Sequence, residues 1–279
     1  MKSMAVLTIL VVLLPLAVLA EEPEDGADSQ GENASEGPGQ PMMSFGLSPM
    51  GLDLGLLYKY QYEQRAGFQG GVSAGVSPSS TKLSAHIAWS CANAELRAQY
   101  TLHSFLGDEG ALLSFDSPYE RFDKDDVWHK KGEEEHALGH QFSFQPTLRA
   151  KLGRFFLSNK TDLSYFRIVD GDGPFFLIRG TLLSESDILV SNTSAVLLAV
   201  HEGEGGSSLM IGPAFEIVRA VDANLTHQRL SGQMLWAPFD RTEWYGGTRL
   251  FAFAGSNLQD PNRRGKLYLG LGLRINFSL

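Results

Sequence analysis

The chain has a single cysteine, Cys91, in 279 residues, so no internal disulfide can form. Exported proteins without such staples need a large core or a closed sheet. Basic residues are missing early on: between Lys2 and Lys59 there is no Lys or Arg, while Glu21, Glu22, Glu24, Asp25, Asp28, Glu32 and Glu36 accumulate. With a formal net charge of −9, the chain lacks the basic surface that phosphate contact requires, which excludes nucleic acid as an expected partner. A long helical stripe is absent too. What remains is 43% hydrophobic and 20% charged residues, enough to bury or present much apolar surface, so the chain is not globally disordered.

The opening "MKSMAVLTILVVLLPLAVLA" has a basic Lys2, an apolar run from Ala5 to Leu19, and small residues at Val18 and Ala20. It reads as a secretory signal peptide over residues 1–20, cleaved after Ala20. The alternative is an uncleaved anchor, against which the run is shorter than the ~20 residues a spanning helix needs. No cysteine follows the run, so lipid attachment at a new N-terminus is not expected. Residues 21–47 combine acid, Gly, Ser and Pro with few apolar side chains. Such a composition cannot offset the entropy of ordering a backbone, and predicts a disordered acidic leader.

From 48 onward the pattern is short runs of period two. The last thirteen residues, "LYLGLGLRINFSL", place Leu267, Leu269, Leu271, Leu273, Ile275, Phe277 and Leu279 on one parity. Tyr268, Gly270, Gly272, Arg274, Asn276 and Ser278 fall on the other, as a strand requires. "AELRAQYTLH" (94–103) alternates as cleanly. Comparable runs occupy 52–62, 68–77, 82–89, 142–152, 154–168, 175–184, 188–201, 207–221, 228–239 and 243–254. That makes about twelve strands, separated by Gly-, Asp-, Ser- and Pro-rich turns. Strands joined in succession by turns form an antiparallel meander.

Alternation alone also fits a soluble β protein. Three features favour a membrane. Aromatics such as Tyr58, Tyr60, Tyr62, Phe68, Trp89, Tyr100, Phe142, Trp236, Trp244 and Tyr245 gather near strand ends, as interfacial girdles do. The runs reach ~10 to 14 residues, against the ~5 to 6 usual in globular sheets, and so span a hydrocarbon core when tilted. The polar parity mixes Gly, Ser, Thr, Gln and both charges, which suits a wet lumen. In lipid every backbone group needs an internal partner, so such a sheet must close. The predicted fold is therefore all-β: a closed antiparallel up-and-down transmembrane β-barrel of about twelve strands over 48–279.

With these features the chain resembles Gram-negative outer-membrane β-barrel proteins. The resemblance covers the signal peptide and residues 48–279. It implies an assembly signal in the last strand, matched by Gly272, Ile275 and Phe277, although the chain ends in Leu279 where that class has Phe. The implied partners are outer-membrane lipid and the barrel-assembly machinery, and the implied location is the outer membrane. In this class both termini are periplasmic and long loops lie outside. Counting twelve strands from 48 puts the long 106–137 segment on the wrong side, so 110–122 is expected to supply a further strand, or one strand elsewhere is miscounted.

Catalytic groupings are sparse. In "HALGHQFS" the spacing of His140 and Ser143 sends them to opposite faces of a strand, unlike the two-residue spacing of outer-membrane phospholipases; His136 adds nothing to the grouping. "FDKDDVWHKKGEEEH" (122–136) is rich in oxygen ligands but misses the calcium-loop template, and "DGDG" (170–173) reads as a turn. The triplets headed by Asn159, Asn192, Asn224 and Asn276 match the glycosylation pattern. Expected lumen residues are Asp53, Glu95, Asp162 and Glu216, with Arg97, Arg149, Lys151, Arg154, Lys160, Arg229 and Arg274 as their counter-charges. They either plug the interior or bias which small solutes pass, and the excess of cations points to anionic ones. No catalytic residue, metal or cofactor is expected. The leading reading is a non-enzymatic channel or structural barrel; the alternatives are a barrel enzyme acting on lipid or peptide, and a secreted soluble barrel holding a ligand.

Overall fold

In a computed structural model, the described residues are 40–48, 51–63, 66–77, 80–106, 112–120, 136–169, 171, 174–178, 181–203, 207–238, 245–262 and 266–278. The signal-peptide region and residues 21–39 of the acidic leader lie outside them, whereas 40–47, read as disordered leader, are described. The strands are β1 (Gln40–Ser48), β2 (Gly51–Glu63), β3 (Ala66–Val76), β4 (Ser80–Cys91), β5 (Ala94–Leu106), β6 (Ser114–Phe115), β7 (His136–Leu152) and β8 (Phe155–Val169). They continue with β9 (Phe175–Ile178), β10 (Thr181–Ser184), β11 (Ser186–Glu202), β12 (Ser208–Ala220), β13 (Leu225–Ala237), β14 (Tyr245–Gln259) and β15 (Leu267–Ser278).

Twelve of them close one antiparallel barrel in the order β1-β15-β14-β13-β12-β11-β8-β7-β5-β4-β3-β2. The fold class and strand number match the sequence reading, but the set of strands differs. Gln40–Ser48 begins the barrel eight residues before the boundary read at 48, pairing with both β2 and β15. Met43, Phe45 and Leu47 supply its outward parity. Residues 175–184, read as a barrel strand, instead form β9 and β10, which with β6 make a separate three-stranded sheet. These two differences cancel in the count and remove the sidedness conflict. With β1 in place, the start of β1, the end of β15 and the strand ends joined from β2 to β3, β4 to β5 and β7 to β8 share one end, and the end of β5, the start of β7, the end of β8 and the start of β11 lie at the other. In the outer-membrane class the end opposite the termini is the extracellular one, and the two ends are called extracellular and periplasmic in that sense. Of the extra strand expected in 110–122, the described residues 112–120 hold only the two-residue β6, outside the barrel.

Facing follows from exposure. On β15 Leu267 and Leu269 are 84% exposed, and Leu83, Ile87, Phe142, Val200 and Leu230 are exposed on the same outward row of their strands. Apolar surface on that scale is tolerated only where lipid replaces water. Tyr58, Phe68 and Trp89 stand outward near the periplasmic end, with Tyr165 near the extracellular one. The inward parity of β7 instead carries buried Gln141, Ser143, Gln145 and Thr147.

The core is not central. It lies at the extracellular end, where Leu112, Leu113, Phe115, Phe176, Leu182 and Leu183 pack on inward-facing Phe105, Phe166, Ile168, Leu189, Val218 and Leu225. The small sheet therefore plugs the mouth against the wall from β5 to β13. Asp187, fully buried, secures it: its carboxylate accepts from the backbone N–H groups of Ser184 (3.2 Å), Asp222 (2.9 Å) and Ala223 (3.1 Å). Across the mouth, Asn262 donates to the carbonyls of Pro118 (3.1 Å) and Glu120 (2.5 Å), tying the 112–120 segment to the β14–β15 loop.

Candidate functional site: the barrel lumen

The inner wall is layered. Beneath the apolar plug lies a belt of hydroxyls and amides on β4, β5, β7 and β8. Ser84 pairs with Thr101 at 2.9 Å, Ser143 with Ser164 at 2.8 Å, and Gln141 donates to both of the latter. Asp162 accepts from Gln145 (2.9 Å) and Ser164. Each of these hydroxyls and amides thereby has a neighbour within hydrogen-bond distance, as a low-dielectric wall demands.

Charged groups fall into two zones. Near the extracellular end Lys82 meets Asp53 at 2.7 Å, and Arg229 meets Glu216 at 3.3 Å while lying 5.9 Å over the Tyr268 ring. Toward the periplasm Glu95 lies 3.0 Å from Arg149 and 3.8 Å from Arg97, and Lys151 reaches Glu202 at 2.9 Å. Lys82 and Asp53 keep 42% and 45% of their side-chain surface exposed. An ion pair this open on an inward face has water beside it.

Of the expected lumen residues, Asp53, Glu95, Arg97, Arg149, Lys151, Lys160, Asp162, Glu216, Arg229 and Arg274 stand on the inward parity of their strands. Arg154 does not: it occupies the turn with Gly153 at the periplasmic end. Sequence reasoning paired the charges only generically; Lys82 and Glu202, which complete two of the pairs, were missed. Lys82 was marked by its inward parity on β4, whereas Glu202 was not, because it turns inward only through the bulge between Ala199 and His201. It also missed Phe251 and Phe253, whose rings lie inward over Gly270 and Gly272, where any Cβ would meet them. Of the assembly-signal residues, Gly272 is thus held by this close approach, and Ile275 and Phe277 pair with Phe45 and Met43 of β1.

The other groupings are resolved where described. His140 lies outward, its Nδ1 2.8 Å from the Tyr100 hydroxyl, whereas Ser143 lies inward. The stretch 121–135 and most of 170–173 lie outside the described residues. Asn159 and Asn192 face the lipid side, where they exchange amide hydrogen bonds of 3.1 Å and take in Ser194 and Thr161. Among the described residues no group of three or more His, Cys, Asp or Glu is placed to hold a metal ion.

A closed twelve-stranded antiparallel barrel with apolar side chains outward and polar ones inward is a transmembrane β-barrel of the outer-membrane class. Solved structures of similar fold include an outer membrane channel from Pseudomonas putida F1 (TM-score 0.47, 16% identity, covering 91% of this chain and 100% of that one). The β domain of the Bordetella autotransporter BrkA (0.43, 9%, 87% and 99%) and LpxR from Salmonella typhimurium (0.40, 9%, 86% and 100%) are also similar. No family model matches the chain, and no curated protein matches it in sequence.

Proposed function

We propose that the chain is a non-enzymatic conduit for small solutes, exported by its signal peptide, inserted by the barrel-assembly machinery and seated among outer-membrane lipid. The carrying observation is the half-exposed Asp53–Lys82 pair on the inner wall. It lies on β2 and β4, which among the described residues contribute nothing to the apolar cluster at the mouth. A filled barrel would bury such a pair or replace it with apolar residues. Inward Arg149, Lys151, Arg229 and Arg274, beside the paired acids, favour anions over cations. Placement of His140 and Ser143 on opposite faces supports the non-enzymatic reading, as does the seclusion of His227 and Asp260, which are fully buried at 3.1 Å.

The test is single-channel recording of the purified chain in planar bilayers under a salt gradient. Discrete conductance steps with an anion-side reversal potential are expected. A heat-modifiable barrel that never conducts would replace the conduit with a structural barrel, the reading favoured by the strap from 112–120 to Asn262.

A further inference from the structure

The outer wall carries a groove that neither the lumen nor the barrel closure uses. It holds about 610 Å³ and is almost wholly apolar, with Ala85 and Ala98 in its floor and Tyr100, Phe142, Leu163 and Tyr165 among its walls. Register explains the hollow. Ile87, Ala98, Phe144 and Leu163 form one outward row, and Ala85, Tyr100, Phe142 and Tyr165 the next. The two alanines sit diagonally between bulky neighbours, so the surface dips there. Its volume far exceeds the ~30 Å³ share of one water, and a groove so apolar within a hydrocarbon layer is filled by hydrocarbon.

The next outward row toward the extracellular end holds Leu83 and Leu102 on β4 and β5 and turns polar on β7, β8 and β11. His140 pairs in register with Arg167, and Arg167 with Ser186. The two tyrosines at the head of the groove reach into this row: Tyr100 Oη lies 2.8 Å from His140 Nδ1 and Tyr165 Oη 2.8 Å from Ser186 Oγ. Tyr100 also packs against Phe142, the rings tilted by 44° with centroids 4.8 Å apart, which holds its hydroxyl there. Arg167 is exposed, and among the described residues it has no ion-pair partner. A guanidinium facing lipid at the membrane boundary binds phosphate oxygens through its paired N–H groups.

From this juxtaposition we propose that the outer wall of β4, β5, β7 and β8 binds one phosphorylated, acylated glycolipid of the outer leaflet. One acyl chain lies over Ala85 and Ala98, and one phosphate lies against Arg167 and His140. The lipid comes from the outer leaflet because the polar row stands at the end opposite both termini. Charge complementarity selects a phosphate, and the groove selects a chain.

The test uses the full chain extracted in mild detergent and native mass spectrometry of its bound lipid. Purified bis-phosphorylated acyl disaccharide is titrated in one arm and phosphatidylglycerol in the other. The expected result is one glycolipid retained per barrel, with affinity lowered about tenfold or more in the Arg167→Gln/His140→Gln variant, since the guanidinium's charge-assisted bonds to the phosphate are lost. Ala98→Phe, which fills the floor, lowers it comparably, and Arg167→Lys restores part of it. Heat-modifiable mobility reports that each variant folds; if Ala98→Phe does not fold, the charge variant alone decides. Unchanged retention in the charge variant overturns the proposal. Equal binding of phosphatidylglycerol overturns the assignment to the outer leaflet.

Discussion

Asp53 on β2 and Lys82 on β4 are separated by a whole strand, yet their charged ends meet at 2.7 Å, because the residue between them in register is Gly75. A Cβ at Gly75 would run into both Asp53 Oδ1 and Lys82 Cε. The pair lies across β3 like a bar on the lumen wall.

Because the bar is half exposed, removing it changes the lumen more than the fold. Lys82→Met is expected to shift the reversal potential toward cations and Asp53→Asn toward anions, with stability altered by less than about 1 kcal/mol. Bilayer recording beside heat-modifiability separates the two effects. A conductance indifferent to both substitutions would place the ion path elsewhere.

The plug predicts a second separation. Phe176 is fully buried in the extracellular cluster, so Phe176→Ala is expected to weaken that packing by about 3–5 kcal/mol. The barrel ladder does not depend on it. Limited proteolysis from the extracellular side should cut faster within 170–185, and conductance should rise, while the heat-modifiable shift persists.

How much of this was legible in the sequence depended on burial from one side or two. Strands such as Ala94–Leu106 have lipid on one face and a polar lumen on the other, and their alternation shows it directly. Phe175, Phe176, Leu177 and Ile178 run without alternation, because the plug strand packs apolar atoms on both sides; that continuity was the signal that 175–184 is no barrel strand. In β1 only Met43, Phe45 and Leu47 mark the outward face, and the preceding Gly, Pro and acid masked so short a pattern. Phe166 and Ile168 follow a polar run, Ser158 to Ser164, on the inward parity of β8, and the plug above them explains why. The inward charges were legible by parity, whereas their partners depended on which strands became neighbours and on glycines such as Gly75 that let side chains cross.

The lipid-facing amide pair gives a third prediction. Asn192 donates to Asn159 and Thr161, so Asn192→Leu strands their polar atoms where no water replaces the lost bonds. It is expected to lower the unfolding free energy by about 1–3 kcal/mol. Asn159→Leu/Asn192→Leu is expected to recover most of the loss. A double-mutant cycle in urea, followed by gel mobility, measures the coupling; additive losses would contradict it.

A fourth concerns the barrel's beginning. A chain whose mature part starts at Gln40 is expected to close and shift on heating, whereas one starting at Gly51 loses β1 and with it the partner of β15. The second chain should be protease-sensitive and fail to show the folded mobility.

The seam between β1 and β15 also sets a timetable. Met42 pairs with Ser278 and Leu47 with Leu273, so nearly the whole polypeptide must be delivered before the ring can shut. Until then two strand edges carry unsatisfied N–H and C=O groups, open to pairing with any other chain. Closure across so long a loop comes late and slowly. The interval in which the unsealed sheet needs an escort therefore lasts until β15 arrives.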